Sequence, residues 1–153
     1  MEPSLTWEMD TRDGVIYVKL QGNVTESSNF AELAPQLTGD VCLDLAGVRR
    51  VNSAGVREWI DFVSGLKSRL TKLSFIRCSV AIVHQLNMIE GFGGGAEIKS
   101  AYAPYFCTKC NSEHADLLEL SGPVTIQDTL PCPKCGGSME FDELPQYLSF
   151  HQT

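Results

Sequence analysis

Residues 41–55 read Val41-Cys42-Leu43-Asp44-Leu45-Ala46-Gly47-Val48-Arg49-Arg50-Val51-Asn52-Ser53-Ala54-Gly55. Val41 to Leu45 is a near-continuous apolar run of strand length, interrupted only by Asp44, as expected of a central strand. A loop follows, and from Ser53 onward Val56, Trp59, Ile60, Val63, Leu66 and Leu70 mark one stripe opposite Arg57, Glu58, Asp61, Ser64, Lys67 and Ser68. That spacing predicts an amphipathic helix. Strand, loop and helix together deliver Ser53 to a helix N-terminus, where backbone N–H groups lack intrahelical partners and carry partial positive charge. Phosphate added to that hydroxyl would be well placed electrostatically. The plainer role is that Asn52 or Ser53 is simply an N-cap.

Outward from this stretch the pattern alternates between strands and helices. Leu5, Trp7 and Met9 alternate with polar residues, Asp13-Gly14 interrupts, and Ile16, Val18 and Leu20 alternate again, which predicts a hairpin with one buried face. Phe30, Leu33, Ala34 and Leu37 have helical spacing, but Pro35 makes that helix short or kinked. Lys72 to Arg77 is a further strand candidate. Ser79 can cap a helix through about Ile89 that carries Ile82, Val83, Leu86 and Ile89 inward. Gly91-Phe92-Gly93-Gly94-Gly95 then breaks the chain before a last strand near Ala96 to Ala101. The order β-β-α-β-α-β-α-β suits an α/β domain, a mixed sheet with helices packed on it.

The chain has 153 residues, 43% of them hydrophobic and 20% charged, enough to bury a full core and carry a small appended module. Composition changes at Ala103-Pro104: beyond it lie four of the six cysteines and five of the seven prolines. This places a domain boundary there, between residues 1–103 and 104–153. The net charge of −7 is concentrated in the second part, which holds 2 lysines and no arginine against 7 acidic residues. Binding a phosphate backbone requires a basic stripe that displaces counterions, and neither part supplies one, so nucleic acid is not the expected partner. Met1-Glu2-Pro3-Ser4 has no basic patch leading into an apolar stretch, and no apolar run approaches the roughly 20 residues of a membrane span. The expectation is a cytoplasmic protein with no membrane association.

Leu43-Asp44-Leu45-Ala46-Gly47-Val48 followed by Val51-Asn52-Ser53-Ala54-Gly55-Val56 resembles the signature of the STAS domain, found in bacterial anti-sigma-factor antagonists and in sulfate transporters. That signature runs as a hydrophobic strand ending in Asp-Leu, a loop, then Asp-Ser-Ser/Ala-Gly-Leu into a helix. The resemblance covers residues 1 to about 102 in element order, including Gly22 closing the second strand. It implies a STAS-like mixed sheet, a partner that is a serine kinase acting as anti-sigma factor or another signalling protein, and Ser53 as the matching phosphoacceptor. Two positions depart from the family pattern. Asn52 replaces the Asp that precedes the serine, and Asn23-Val24 stands where the family often has Glu-Leu followed by Asp. Asn still accepts a hydrogen bond and still caps a helix, but it carries no charge. Arg49, Arg50 and Arg57 flank Ser53 in sequence, placed to hold a phosphoserine or an acidic partner, or to form a solvated basic rim.

The second part carries Cys107-Thr108-Lys109-Cys110 and Cys132-Pro133-Lys134-Cys135-Gly136-Gly137, a CxxC-x21-CxxC pattern. Each pair can turn two sulfurs to one point, and two such knuckles supply four thiolates to one tetrahedral Zn²⁺. Short β-prone stretches such as Val124-Thr125-Ile126 lie between them, and the whole resembles a zinc ribbon. Four cysteines close the coordination shell, so the metal is expected to be structural and not catalytic. Thiolates and Zn²⁺ together add about −2 to an already acidic segment, so its expected contact is with protein.

The remaining reactive side chains suggest no catalytic constellation, and a non-enzyme is expected. Cys42 and Cys78 lie in apolar contexts as small hydrophobes, His84 sits inside a helix, and His114 reads as an exposed loop residue. Gly91 to Gly95 lacks a following Gly-Lys-Ser/Thr and reads as a flexible connection. Three functions follow from these residues: a signalling protein that binds a partner around Ser53, an assembly scaffold in which Ser53 only caps, or a transcription-associated ribbon protein.

Overall fold

A computed structural model describes residues 4–151, so the reading of Met1 to Pro3 lies outside the described residues. The elements are β1 (Thr6–Arg12), β2 (Val15–Val24), α1 (Phe30–Leu33), β3 (Asp40–Val51), α2 (Ser53–Arg69), β4 (Lys72–Ile76), α3 (Val80–Met88), β5 (Glu97–Ile98), β6 (Ser100–Phe106), β7 (Glu113–Glu119), β8 (Thr129–Pro131) and β9 (Ser138–Phe141). Strands β1 to β5 form one sheet in that order, with β1 antiparallel to β2 and the rest parallel. The other four form an antiparallel sheet ordered β7-β6-β9-β8. The architecture is thus the expected α/β domain, a mixed five-stranded sheet with three helices, followed by a small β-rich part.

Local chemistry explains the early elements. Asp13 and Gly14 both take positive φ, 53° and 79°, a tight turn whose twist matches the two flanking strands. Pro35 falls in the first turn of a 3-10 segment, Ala34–Gln36, so α1 ends after four residues. Ser79 caps α3 by accepting a hydrogen bond from the Ile82 amide at 3.3 Å.

Several features differ in detail from the sequence reading. The segment expected to be a loop, Ala46 to Arg50, continues β3, because its pairing with β2 resumes beyond two register shifts and runs to Val24 and Val51. The last expected strand divides in two: Glu97–Ile98 closes the first sheet, and the chain then turns into β6 of the second. His114 is exposed as expected but lies on β7, paired with Tyr105, and not in a loop. β6 also runs without a break through Ala103-Pro104, where composition changes.

The core is centred on Trp59 of α2. Its ring packs against Phe30, Phe62, Phe75 and Phe92, and its indole N–H donates to the Phe92 carbonyl at 2.9 Å. Phe92 is fully buried, so the glycine-rich segment is a packed turn around an aromatic anchor. Gly94, with φ 57°, lies where a Cβ would come within 2.7 Å of a Val63 methyl. Cys42 and Cys78 are buried in the expected way, and burial pushes both thiols up.

The second sheet shares this core. Leu120, Tyr147 and Leu148 belong to the same apolar cluster as Leu43 and Trp59. Polar contacts reinforce the junction. The Tyr147 hydroxyl donates to the Tyr102 carbonyl at 2.7 Å, and the Asn87 side chain of α3 donates to the Tyr147 carbonyl at 2.6 Å and accepts from the Phe150 amide at 2.9 Å. Arg77 pairs with Asp44 at 2.9 Å and donates to the Tyr102 hydroxyl at 3.1 Å, tying β3 to β6. His84, which local sequence leaves without a partner, meets Glu143 at 3.1 Å.

Candidate functional site

At the end of β3, Asn52 leaves the sheet in an extended conformation, its amide donating to the Val24 carbonyl at 3.1 Å. Its side-chain oxygen accepts from the Gly55 amide at 2.7 Å. Of the two candidate caps, Asn52 therefore takes the role, and Ser53 becomes the first helical residue of α2. Ser53 is exposed and enters no side-chain hydrogen bond among the described residues. Its hydroxyl stands free beside amides of the first turn that await partners.

Gly55 explains how the helix comes so close to the sheet. A Cβ there would sit against the Val24 carbonyl oxygen, 2.6 Å from its carbon and 2.9 Å from the Thr25 nitrogen. Only a residue without a side chain lets α2 begin directly on the end of β2. The loop after β2 is itself closed by Ser28, whose hydroxyl accepts from the Thr25 amide at 2.8 Å. From that loop Glu26 reaches the Asn52 side chain, whose NH₂ donates to its carboxylate at 3.4 Å. Sequence reasoning missed Glu26, because nothing local marks a contact made between two separate loops. Arg49, Arg50 and Arg57 are all exposed; Arg57 follows Ser53 by one turn on α2, whereas Arg49 lines a shallow depression with Thr6 and Gln21 of the sheet. Replacing Asn52 by Ala removes the cap and is expected to cost about 1 kcal/mol, a fall in Tm of about 3 °C in a thermal melt. An unchanged Tm would show that the cap contributes nothing.

The four cysteines of the second part converge. Cys107 precedes a tight turn in which the Asn111 amide returns to the Cys107 carbonyl at 2.8 Å, and Gly136 does the same to Cys132 at 3.0 Å. These two matched turns bring all four sulfurs within 4.8 Å of one another. The Cys107–Cys135 and Cys110–Cys132 pairs are each 3.6 Å apart. A disulfide needs about 2.0 Å. Four thiolates around one tetrahedral ion with metal–sulfur bonds of about 2.3 Å lie about 3.8 Å apart, so the donor set and spacing fit a single metal ion of the zinc type. Cys107 and Cys132 are buried, Cys135 partly so, and Cys110 faces solvent.

Hydrogen bonding divides the protons unequally among these thiols. The Ser112 hydroxyl, 2.8 Å from Cys110, and the Ser112 amide pull that thiol down to about 6. Cys135 receives the Gly137 amide, which lowers it, but its contact with Cys107 and its burial outweigh this and raise it to about 11. Metal binding at neutral pH must therefore expel protons from the cluster, so affinity falls as pH falls.

No known family model matches this chain, and no curated protein matches it either. Among the described residues no helix is long and apolar enough to cross a membrane.

Proposed function

We propose that this protein is a non-enzymatic regulatory module: a STAS-like domain that binds a signalling partner through the surface around Ser53, extended by a zinc ribbon. The observation that carries this reading is the division of labour at the start of α2. Asn52 does the capping, which leaves the exposed Ser53 hydroxyl uncommitted at a helix N-terminus. Phosphorylation there adds about −2 charges, which the helix terminus and Arg57, one turn further along α2, favour and an acidic partner surface does not. Glu26, bound by Asn52, brings a carboxylate to the residue that precedes the serine, the position at which the STAS signature carries Asp. The partner class is a serine kinase of the anti-sigma-factor type or a related signalling protein, met in the cytoplasm. The ribbon's zinc is structural, and the acidity of residues 104–153 favours protein over nucleic acid as its contact.

The test compares wild type, Ser53→Ala and Ser53→Asp as baits, with Ser64→Asp on the same helix as control. Ser53→Asp is expected to weaken capture of the bound partner by at least about tenfold, while Ser64→Asp leaves it unchanged. Identical capture by all four baits, with Ser53 unmodified in the intact mass of protein from its own cells, would overturn the proposal.

A further inference from the structure

A groove of about 660 Å³ opens in the second part of the molecule; it is remote in sequence from Ser53, and no cysteine lines it. Val124, Ile126 and Leu148 supply apolar wall, while Asp128, Glu140 and Glu143 place three carboxylates along it. None of its lining residues is basic. The His84 ring faces Glu143 from α3, and His151 lines the adjoining depression that shares Val124 and Leu148. The volume lies within the range of about 300–1,000 Å³ usual for ligand sites.

One wall has an unusual character. Residues 123–127 belong to no strand, although they lead directly into β8 at the edge of the second sheet. The segment is anchored at its end: the Gln127 carbonyl accepts from the Tyr105 hydroxyl at 2.6 Å, and the Asp128 carbonyl accepts from the Phe141 amide at 2.9 Å. Val124 and Ile126 are partly buried against the core while Thr125 and Gln127 are exposed, the alternation of a strand with one free side. A groove that joins backbone not taken up by the sheet to apolar wall and unbalanced negative charge suits an extended peptide.

We infer that this groove is a docking site for an extended basic segment of a partner protein, with lysine or arginine alternating with aliphatic residues. Its cations meet Asp128 and Glu140, its apolar side chains cover Val124 and Ile126, and its backbone lies along residues 123–127. Charge complementarity selects this occupant. The second part of the chain holds 7 acidic residues against 2 lysines, and both lysines, Lys109 and Lys134, sit inside the cysteine knuckles.

The test uses the metal-loaded full chain and a fluorescent short peptide alternating lysine and valine. Three probes accompany it: the same peptide with acetylated lysines, one alternating glutamate and valine, and a short DNA duplex. The lysine peptide is expected to bind saturably. Asp128→Asn combined with Glu140→Gln, both exposed positions, is expected to weaken it by at least about fivefold with metal content and Tm unchanged. Ser53→Asp should leave this binding intact, which separates failure of this site from failure of the Ser53 surface. Equal binding of the acetylated or acidic peptide, or no loss in the double variant, overturns the inference. So does preferential binding of the duplex, or self-association of the protein through the same carboxylates in sedimentation.

Discussion

Removal of the metal with a strong chelator is expected to unfold β6 to β9 and leave β1 to β4 largely folded. The second apolar cluster contains five buried residues, Ala103, Tyr105, Cys107, Cys132 and Met139, and two of these are cysteines of the metal centre. Apart from the side chains it lends to the core of the first sheet, the second sheet buries too few of its own to hold β6 to β9 together unaided. The metal must supply the difference, and structural four-ligand sites contribute about 10 kcal/mol or more. Amide exchange should show protection lost around Tyr105, Leu118 and Met139 but kept around Leu43. Cys132→Ser should reproduce this result, while Cys42→Ser, outside the cluster, should keep one metal per chain. Lowering the pH should mimic the chelator, since protons compete for the same sulfurs. Unchanged protection after proven metal loss would exclude a structural role.

Gly55→Ala is expected to destabilise the protein by about 3 kcal/mol, against the usual direction of such a change. Within a helix, replacing glycine by alanine ordinarily stabilises by up to about 1 kcal/mol, because alanine has less backbone freedom to lose. At Gly55 the new methyl meets the backbone of Val24 and Thr25, which cannot rotate away as a side chain would. The first turn of α2 must lift, carrying Asn52 and Ser53 with it. Gly65 is exposed on the same helix, with nothing within 4 Å of the position an added methyl group would take. It is the internal control and should gain stability on the same substitution. Urea denaturation of both variants decides the matter: equal shifts in the same direction would remove the close approach as an explanation for the glycine.

Much of this architecture is legible in the sequence wherever one strong periodicity or spacing stands alone. The stripe from Val56 to Leu66 specifies α2, and the CxxC pairs specify the four-sulfur cluster without help from tertiary context. What the sequence hides depends on contacts between distant segments. Gly47 and the Arg49-Arg50 pair interrupt any strand alternation, so the far half of β3 emerges only from its irregular pairing with β2. Phe92 sits among glycines, and its burial is decided by Trp59 from another element. Phe62 falls beside the stripe as drawn, yet its ring stacks on Phe30 at 4.4 Å and lies in the core. Around Ser53 the helix entry can be read directly, whereas Glu26 and the partner of His84 cannot, because loop-to-loop and helix-to-tail contacts leave no periodic trace.

The sharing of one core between the two sheets has a consequence for biosynthesis. Leu120, Tyr147 and Leu148 complete the cluster that Leu43 and Trp59 begin. While the chain is still emerging from the ribosome, the α/β part waits with an apolar flank beside α3 uncovered, until Leu148 has left the exit tunnel. The first sheet is therefore synthesised well before this flank is covered, and the nascent chain exposes that apolar surface to chaperones and to aggregation throughout the interval.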